Sequence, residues 1–420
     1  MKTLLALALR SAWNRRLTLG LTLAAVSLSA LLLLGVERLR TDLRTSFALS
    51  ISGVDLVVGA RGSPVQLMLY SVFRMGEVSQ NMSWASAQWL AQHPAVAWTV
   101  PVSLGDSHRG FPVLGTTPAY FDHFRYGDQR PLHLAAGRRF DALFDAVLGA
   151  EVAERLGYVL GQKITLAHGS GEGPGTEHGD KPFTVSGILA RTGTPVDRTV
   201  HISLEAMEAL HLDWAGGAPI PGLSIPPQLV RKFGLTPKSV TAVFVGLDNR
   251  AAVFSLQREI NGRGEEALMG VLPGVALDEL WQLVAVAERY AQLVSLMVVA
   301  VGLTGLVAVV LAGLNERRRE LAILRSVGAR PRDVFALLAL EGISLSLIGA
   351  AFGSVLVAML VLALEPWLQA NYGLALSSVW PGPAEWWLLA GIVAVGAVAS
   401  LLPGWRAYQL SLADGMTPRL

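Results

Sequence analysis

Residues 17–36 read LTLGLTLAAVSLSALLLLGV, a run without one charged side chain. The hydrocarbon core of a bilayer is about 30 Å thick and takes about 20 apolar residues of helix to cross, so this run is long enough to span it. Working outward, residues 291–314 form a second uncharged run and residues 334–364 a third, interrupted only by Glu341. Residues 386–402 form a shorter fourth, closed by Pro403. The pattern predicts a membrane protein with four transmembrane α-helices. A signal peptide competes for the first run, because basic residues precede it and Ser27-Leu28-Ser29-Ala30 has small side chains. The run continues past that point and exceeds the usual core of about 7 to 15 residues, which favours a retained span.

Composition points the same way. Of 420 residues, 52% are hydrophobic and only 16% are charged, against roughly 25% charged in an ordinary soluble protein. The net charge of +2 is too small to drive counterion release from a polyanion, so no nucleic-acid partner is expected. The absence of cysteine excludes disulfides, zinc ribbons, iron–sulfur ligation and thiol nucleophiles.

Lys and Arg set the orientation. Lys2, Arg10, Arg15 and Arg16 precede the first run with no acid among them, and Arg317, Arg318, Arg319, Arg325, Arg330 and Arg332 lie between the second and third. Both segments belong on the cytoplasmic side. Residues 365–385 contain no Lys or Arg, and Trp367, Tyr372 and Trp380 suit an aromatic belt at the outer interface. The expected order is a cytoplasmic amphipathic helix (1–16), span one (17–36), an extracytoplasmic domain (37–288), span two (291–314), a cytoplasmic coupling helix (315–333), span three (334–364), an outer loop (365–385), span four (386–402) and a cytoplasmic tail (403–420).

The large segment between helices 1 and 2 reads as α+β. Short β-like runs recur at 54–58, 97–102, 146–149, 163–167, 183–189, 199–202 and 240–245. Helical spacing appears at 151–156, 204–210 and 253–260, the last followed by the stop signal Asn261-Gly262. Residues 168–181 (HGSGEGPGTEHGDK) and the Pro-rich 213–238 are loops by composition, read as a hairpin connection and an insertion.

Much familiar chemistry is missing. The dipeptide Gly-Lys occurs nowhere, so no P-loop is present, and there is neither a G-x-S-x-G elbow nor an H-E-x-x-H helix. The chain is read as a non-enzyme. Glu341 is the one ionisable residue inside a span, placed for a helix–helix hydrogen bond or for snorkelling. Gly349 and Gly353 form a G-x-x-x-G that lets two helices approach closely. Between spans two and three, Leu321, Ile323, Leu324 and Val327 fall on one helical face, and Gly328 and Pro331 stop that helix. It reads as either a membrane-surface helix or a docking helix for a cytoplasmic partner.

Residues 316–329 (ERRRELAILRSVGA) closely resemble the E-R-x-x-E-I-x-x-x-R-x-x-G-A signature of the MacB/FtsX-type ABC permeases. Glu341-Gly342 and the Gly349/Gly353 pair follow at the family's spacing, and residues 403–416 are similar to its close, although Ser411 and Gly415 stand in place of proline and alanine. Residues 146–166, 183–189 and 193–202 look like the family's extracytoplasmic core, and 55–73 resemble a subgroup of its permeases. The resemblance implies a multi-pass inner-membrane subunit surrounded by lipid, working as a homodimer or as a heterodimer with a second permease. It further implies two copies of a cytoplasmic ABC ATPase subunit, which bind the ATP and Mg, so no cofactor is expected in this chain. ATP hydrolysis there would move the periplasmic domain, a mechanotransmission that exports or extracts a peptide, lipid or lipoprotein-like substrate, with a periplasmic adaptor or substrate protein as a further partner. Glu316, Glu320, Arg325, Gly328 and Arg332 would lie at the ATPase contact, and Glu341, Gly349 and Gly353 in helix packing. The alternative is an FtsX-like envelope regulator that switches an extracytoplasmic partner such as a hydrolase.

All eight histidines lie between His93 and His211. Exclusion from lipid accounts for most of that clustering. Still, His168 and His178 bracket a Gly-rich loop that also holds Glu172, Glu177 and Asp180, a composition that can fold around a cation. A metal at His168 and His178, with metal-linked transport as a minor alternative function, stands against a solvated loop with incidental histidines.

Overall fold

The structure is a computed structural model that describes residues 16–76, 80–169, 177–215, 218–316, 326, 328, 330–372 and 380–409. Residues 1–15, most of the coupling helix including Glu320 and Arg325, Glu172 of the Gly-rich loop, and residues 410–420 lie outside the described residues. In chain order the elements used below are α1 (Arg16–Leu49), β1 (Leu56–Ala60), α2 (Pro64–Ser71), α3 (Trp84–Ala91), β2 (Val96–His108), β3 (Phe111–Thr116), α4 (Ala119–His123), β4 (Leu134–Gly137), β5 (Asp145–Leu148), α5 (Ala150–Leu156), β6 (Lys163–Ile164), β7 (Ala167–His168), β8 (Phe183–Leu189), β9 (Val200–Ser203), α6 (Leu204–Leu210), β10 (Ala242–Leu247), α7 (Val253–Gly262), β11 (Leu268–Val271), α8 (Pro273–Glu316), α9 (Pro331–Tyr372) and α10 (Pro383–Gln409). The chain divides into a helical unit (1–42, 284–366 and 376–420) and an outer unit (43–283 and 367–375).

Among the described residues, four helices are long and apolar enough to cross a membrane: α1 over Arg16–Asp42, α8 over Pro273–Val309, α9 over Arg332–Leu368 and α10 over Pro383–Leu401. All four extend beyond the uncharged runs that reveal them in the sequence. α8 begins at Pro273, where proline's fixed φ suits a first helical turn, and its early stretch carries Asp278, Glu279, Glu288 and Arg289. Its 44 residues span about 66 Å at 1.5 Å per residue, roughly twice the hydrocarbon core. The sequence expects the last span to end at Pro403, but α10 runs on to Gln409, and α9 likewise passes Pro366 to reach Tyr372. A proline removes one hydrogen bond, and in an apolar medium the freed backbone gains nothing by leaving the helix.

The outer unit is built on one eleven-stranded sheet in the order β11-β1-β10-β2-β3-β9-β5-β8-β4, with β7 added to β2 and β6 to β8. The β3–β9 and β5–β8 pairs are parallel and the others antiparallel. Side chains alternate between its faces with the period of two that strands impose. Val57, Leu114, Val147 and Phe244 pack on one face with Met68 of α2 and Tyr120 and Phe121 of α4. On the opposite face, Leu56, Val58, Val243 and Val245 pack under Leu90 of α3 and Leu256 and Ile260 of α7. Farther along that face, Val113, Ala146, Leu148, Val200 and Ile202 pack under Val152 of α5 and Ala206, Met207 and Leu210 of α6. The run 163–167 is not the single strand that its pattern predicts. After Ile164 on β6 the chain leaves β8, and Ala167 begins a new pairing with β2. That change of partner carries His168 to the end of β2.

Candidate functional site

In the helical unit the residues that matter most are the smallest. Gly349 and Gly353 of α9 face α1, where an added Cβ would lie 2.6 Å from Val26 Cγ1 and 2.5 Å from Ala30 Cβ respectively. Only glycine permits this approach. The same device recurs where the sequence reading passed over it. Gly342 of α9 faces Ser400 of α10, and Gly396 of α10 faces Ser346 of α9, each at a distance that a Cβ would close to 2.3 Å or less. The small-x-x-x-small spacing of 342/346 and 396/400 was the available signal. Ser29 Oγ of α1 donates to Ala25 O at 2.8 Å and lies 3.1 Å from Val298 O of α8, tying those two helices. Glu341 is half-buried one position before Gly342.

At one end of this bundle the charges are paired. Arg38 and Glu385, both buried, lie 3.8 Å apart, and Arg38 Nη2 donates to the Trp380 carbonyl at 3.0 Å. Arg40 sits 3.2 Å from Glu288 and 3.1 Å from Glu37. Residues 37–40, 288, 380 and 385 therefore share an end of the bundle. Of the coupling residues, Gly328 has φ +104, a conformation that L side chains rarely adopt, and Arg332 is exposed in the first turn of α9. Asp333 Oδ2 accepts from the Arg330 N–H at 2.8 Å and caps that helix. Glu316 ends α8.

The outer unit contains a second, independent cluster. Asp106, His168, His178 and His211 bring one ligand atom each to within 4.8 Å of one another. Each is placed by a specific piece of backbone. β2 bulges between Leu104 and Asp106 at Gly105, whose φ of +153 is essentially reserved for glycine. His168 is the register partner of Asp106 on β7. Glu177 bridges back to Ala167 and the His178 N–H bonds to Leu166 O at 2.8 Å, which returns His178 to the side of β7. Ser203 caps α6 by accepting from Ala206 N–H at 3.0 Å, and the helix ends at Leu210, delivering His211. The segments bearing His178 and His211 are locked together by buried Lys181, whose Nζ contacts Asp213 at 2.7 and 2.8 Å. Asp213 also accepts from Ile225 N–H at 3.0 Å.

Within the cluster, Asp106 Oδ1 lies 3.1 Å from His168 Nδ1 and 3.3 Å from His211 Nε2, and those two nitrogens are 3.1 Å apart. His211 Nδ1 donates to Met207 O at 2.8 Å. Burial pushes the Asp106 carboxyl up, yet the two imidazoles hydrogen-bonded to it outweigh that and hold it at about 2. Burial lowers the His211 imidazole, but Asp106 beside it dominates and the net shift is upward. His178 is driven down to about 4 by burial, and its ring lies against that of Trp214, centroids 4.3 Å apart and planes tilted by 47°. Neither of its ring nitrogens has a hydrogen-bond partner among the described residues, nor does Asp106 Oδ2. The structure thus brings together the two histidines singled out in the sequence, while Glu177 and Asp180 stay exposed outside the cluster. Asp106 and His211 are the partners that the sequence reading missed.

Comparison with known proteins places both units. The MacB-like periplasmic core domain matches residues 17–262, and the FtsX-like permease C-terminal domain matches residues 293–412. No curated protein matches by sequence. Among solved structures the chain is similar to the periplasmic region of MacB from Actinobacillus actinomycetemcomitans, at 13% identity over 56% of this chain and 94% of that one, with a TM-score of 0.33. It is also similar to the extracellular domain of the noncanonic ABC-type transporter YknZ from Gram-positive bacteria, at 13% identity over 51% of this chain and 98% of that one, with a TM-score of 0.30. With one domain match covering more than half its length and a second covering the following helices, the chain belongs to the MacB/FtsX-type family of ABC transporter permeases.

Proposed function

We propose that this permease subunit sits in the inner membrane and couples ATP hydrolysis by a separate cytoplasmic ATPase to movement of its periplasmic domain, in order to export or extract a peptide, lipid or lipoprotein-like substrate. The observation that carries the reading is helix continuity. α1 and α8 each run unbroken through the boundary between the two units, from Arg16 to Leu49 and from Pro273 to Glu316. A helix is stiff along its axis, so tilting or sliding of its membrane segment is delivered to its far end. The absence of any Gly-Lys dipeptide supports an ATPase in a partner chain, because a P-loop requires that lysine. Residues 316–332 are the proposed contact, with Glu316, Glu320, Arg325, Gly328 and Arg332 at it.

Affinity purification of the tagged chain from native membranes in mild detergent tests the reading. An ABC ATPase should co-purify, and its ATPase activity should respond to Arg325→Glu, which sets repulsion against an acidic groove, or to Gly328→Val, which strains the turn. Purification of the folded chain with no ATPase, or an ATPase indifferent to both substitutions, would contradict it.

A further inference from the structure

We propose that Asp106, His168, His178 and His211 bind a divalent transition-metal cation of the zinc type on the outer unit. The separations fit. Four ligands held tetrahedrally at about 2.0 Å from zinc are about 3.3 Å apart; Asp106, His168 and His211 are separated by 3.1, 3.3 and 3.1 Å, with a His178 nitrogen within 4.8 Å of each. The lone pairs also converge. The Met207 carbonyl can only accept, so His211 Nδ1 carries the hydrogen, and in the neutral ring Nε2 presents its lone pair toward Asp106 Oδ1 and His168 Nδ1. A backbone carbonyl on the far nitrogen is how metal-binding histidines are commonly oriented. A proton shared among His211, His168 and Asp106 answers the contacts of those three groups alone. It leaves both ring nitrogens of buried His178 without a partner among the described residues, and a buried polar group left unsatisfied is costly. A cation at the centre of the cluster gives His178 a partner.

The donor set selects the ion. Three imidazoles and one carboxylate suit zinc, cobalt, nickel or copper, whereas magnesium and calcium take oxygen ligands. Access is open, since the His168 and His211 side chains remain 34% and 29% exposed while Asp106 and His178 form the buried floor. The ligands come from β2, from β7 and the residue after Glu177, and from the residue after α6, so a bound ion would pin these segments together.

Full-length protein purified in detergent, stripped with a chelator and titrated with ZnCl2 against a chromophoric competitor tests this. One equivalent should bind more tightly than about 10 μM. Asp106→Asn and His178→Ala should each weaken it at least tenfold, and His93→Ala, remote from the cluster and paired with Glu259 at 3.3 Å, should leave it unchanged. Asp106→Asn conserves shape, and a native near-ultraviolet circular dichroism spectrum of its metal-free form separates loss of ligation from loss of fold. Zinc should also change the fluorescence of the wild type and not that of Trp214→Phe. Binding no tighter than about 10 μM, binding unchanged in folded Asp106→Asn and His178→Ala, or displacement of zinc by equimolar magnesium would each overturn the proposal.

Discussion

The helical unit exposes large apolar side chains of the kind that the outer unit buries. In the helices, Leu293, Val301 and Trp387 are 57%, 72% and 80% exposed, while Ser27, Ser29, Ser295, Ser346 and Ser400 are buried. In the sheet, Val58, Val113, Leu148 and Phe244 are buried and the buried polar groups form a few dense networks around Asp106, Lys181 and Asp197. The same physics acts in two solvents. Lipid is as apolar as leucine, so helices there associate through close backbone approach, small residues and local hydrogen bonds. Water drives apolar side chains inward, and any charge that follows them needs a partner.

The comparison breaks most easily at Lys181. Lys181→Met strands Asp213 in the outer unit, and a loss of about 3–5 kcal/mol is expected from urea unfolding of the purified protein. Lys181→Met with Asp213→Leu should recover much of it, because the orphaned charge is gone. If the single variant costs no more than the double, the pair is not holding the 178–213 segments together. In the helical unit the counterpart is Gly353→Leu, which inserts a side chain where even a Cβ meets Ala30 Cβ at 2.5 Å. A loss of about 1–3 kcal/mol is expected as overpacking, read as a lower melting temperature in detergent, with Gly353→Ala intermediate. An unchanged melting temperature would show that this crossing does not need glycine.

A smaller effect sharpens the outer unit's side of the comparison. His201 is fully buried between the Tyr120 ring and the Val147 carbonyl, and burial lowers it from 6.5 to about 3. The unfolded chain therefore takes up a proton below pH 6.5 that the folded chain refuses, so the contribution is complete above 6.5 and is lost as pH falls toward 3. About 1 kcal/mol of stability should disappear between pH 7 and 5.5 from this group. Urea midpoints at both pH values should converge in His201→Asn, and an unchanged gap would assign the acid sensitivity to other groups.

Much of this architecture is legible in the sequence because each solvent leaves a period or a run length. Lipid shows itself in uncharged runs of 17 or more residues, and the alternation of Val57 with Leu56 and Val58 marks β1. What escapes is whatever depends on contact between distant segments. The early part of α8 carries charges because it lies beyond the apolar run, so a hydropathy reading starts that helix too late. Proline at 403 signals a stop only where water competes for the backbone. His168 and His178 stand out as neighbours around a loop. Asp106 is 62 residues before His168 and His211 43 after it, and only the β2–β7 register and the end of α6 bring them together. Gly105 was the local hint, since a glycine inside a strand run often marks a bulge that re-aims the next side chain.

The proposed coupling requires that the sheet-bearing unit face outward and the 316–332 segment face the cytoplasm. The chain has no cysteine, so single cysteines introduced as Gln92→Cys, at an exposed position after α3, and Ser326→Cys, exposed before Gly328, report directly. A membrane-impermeant thiol reagent applied to cells with a permeabilised outer membrane but an intact inner one should label position 92 at once and position 326 only after the inner membrane is broken. Labelling of 326 with protection of 92 would contradict the orientation and, with it, the coupling of an internal ATPase to an external domain.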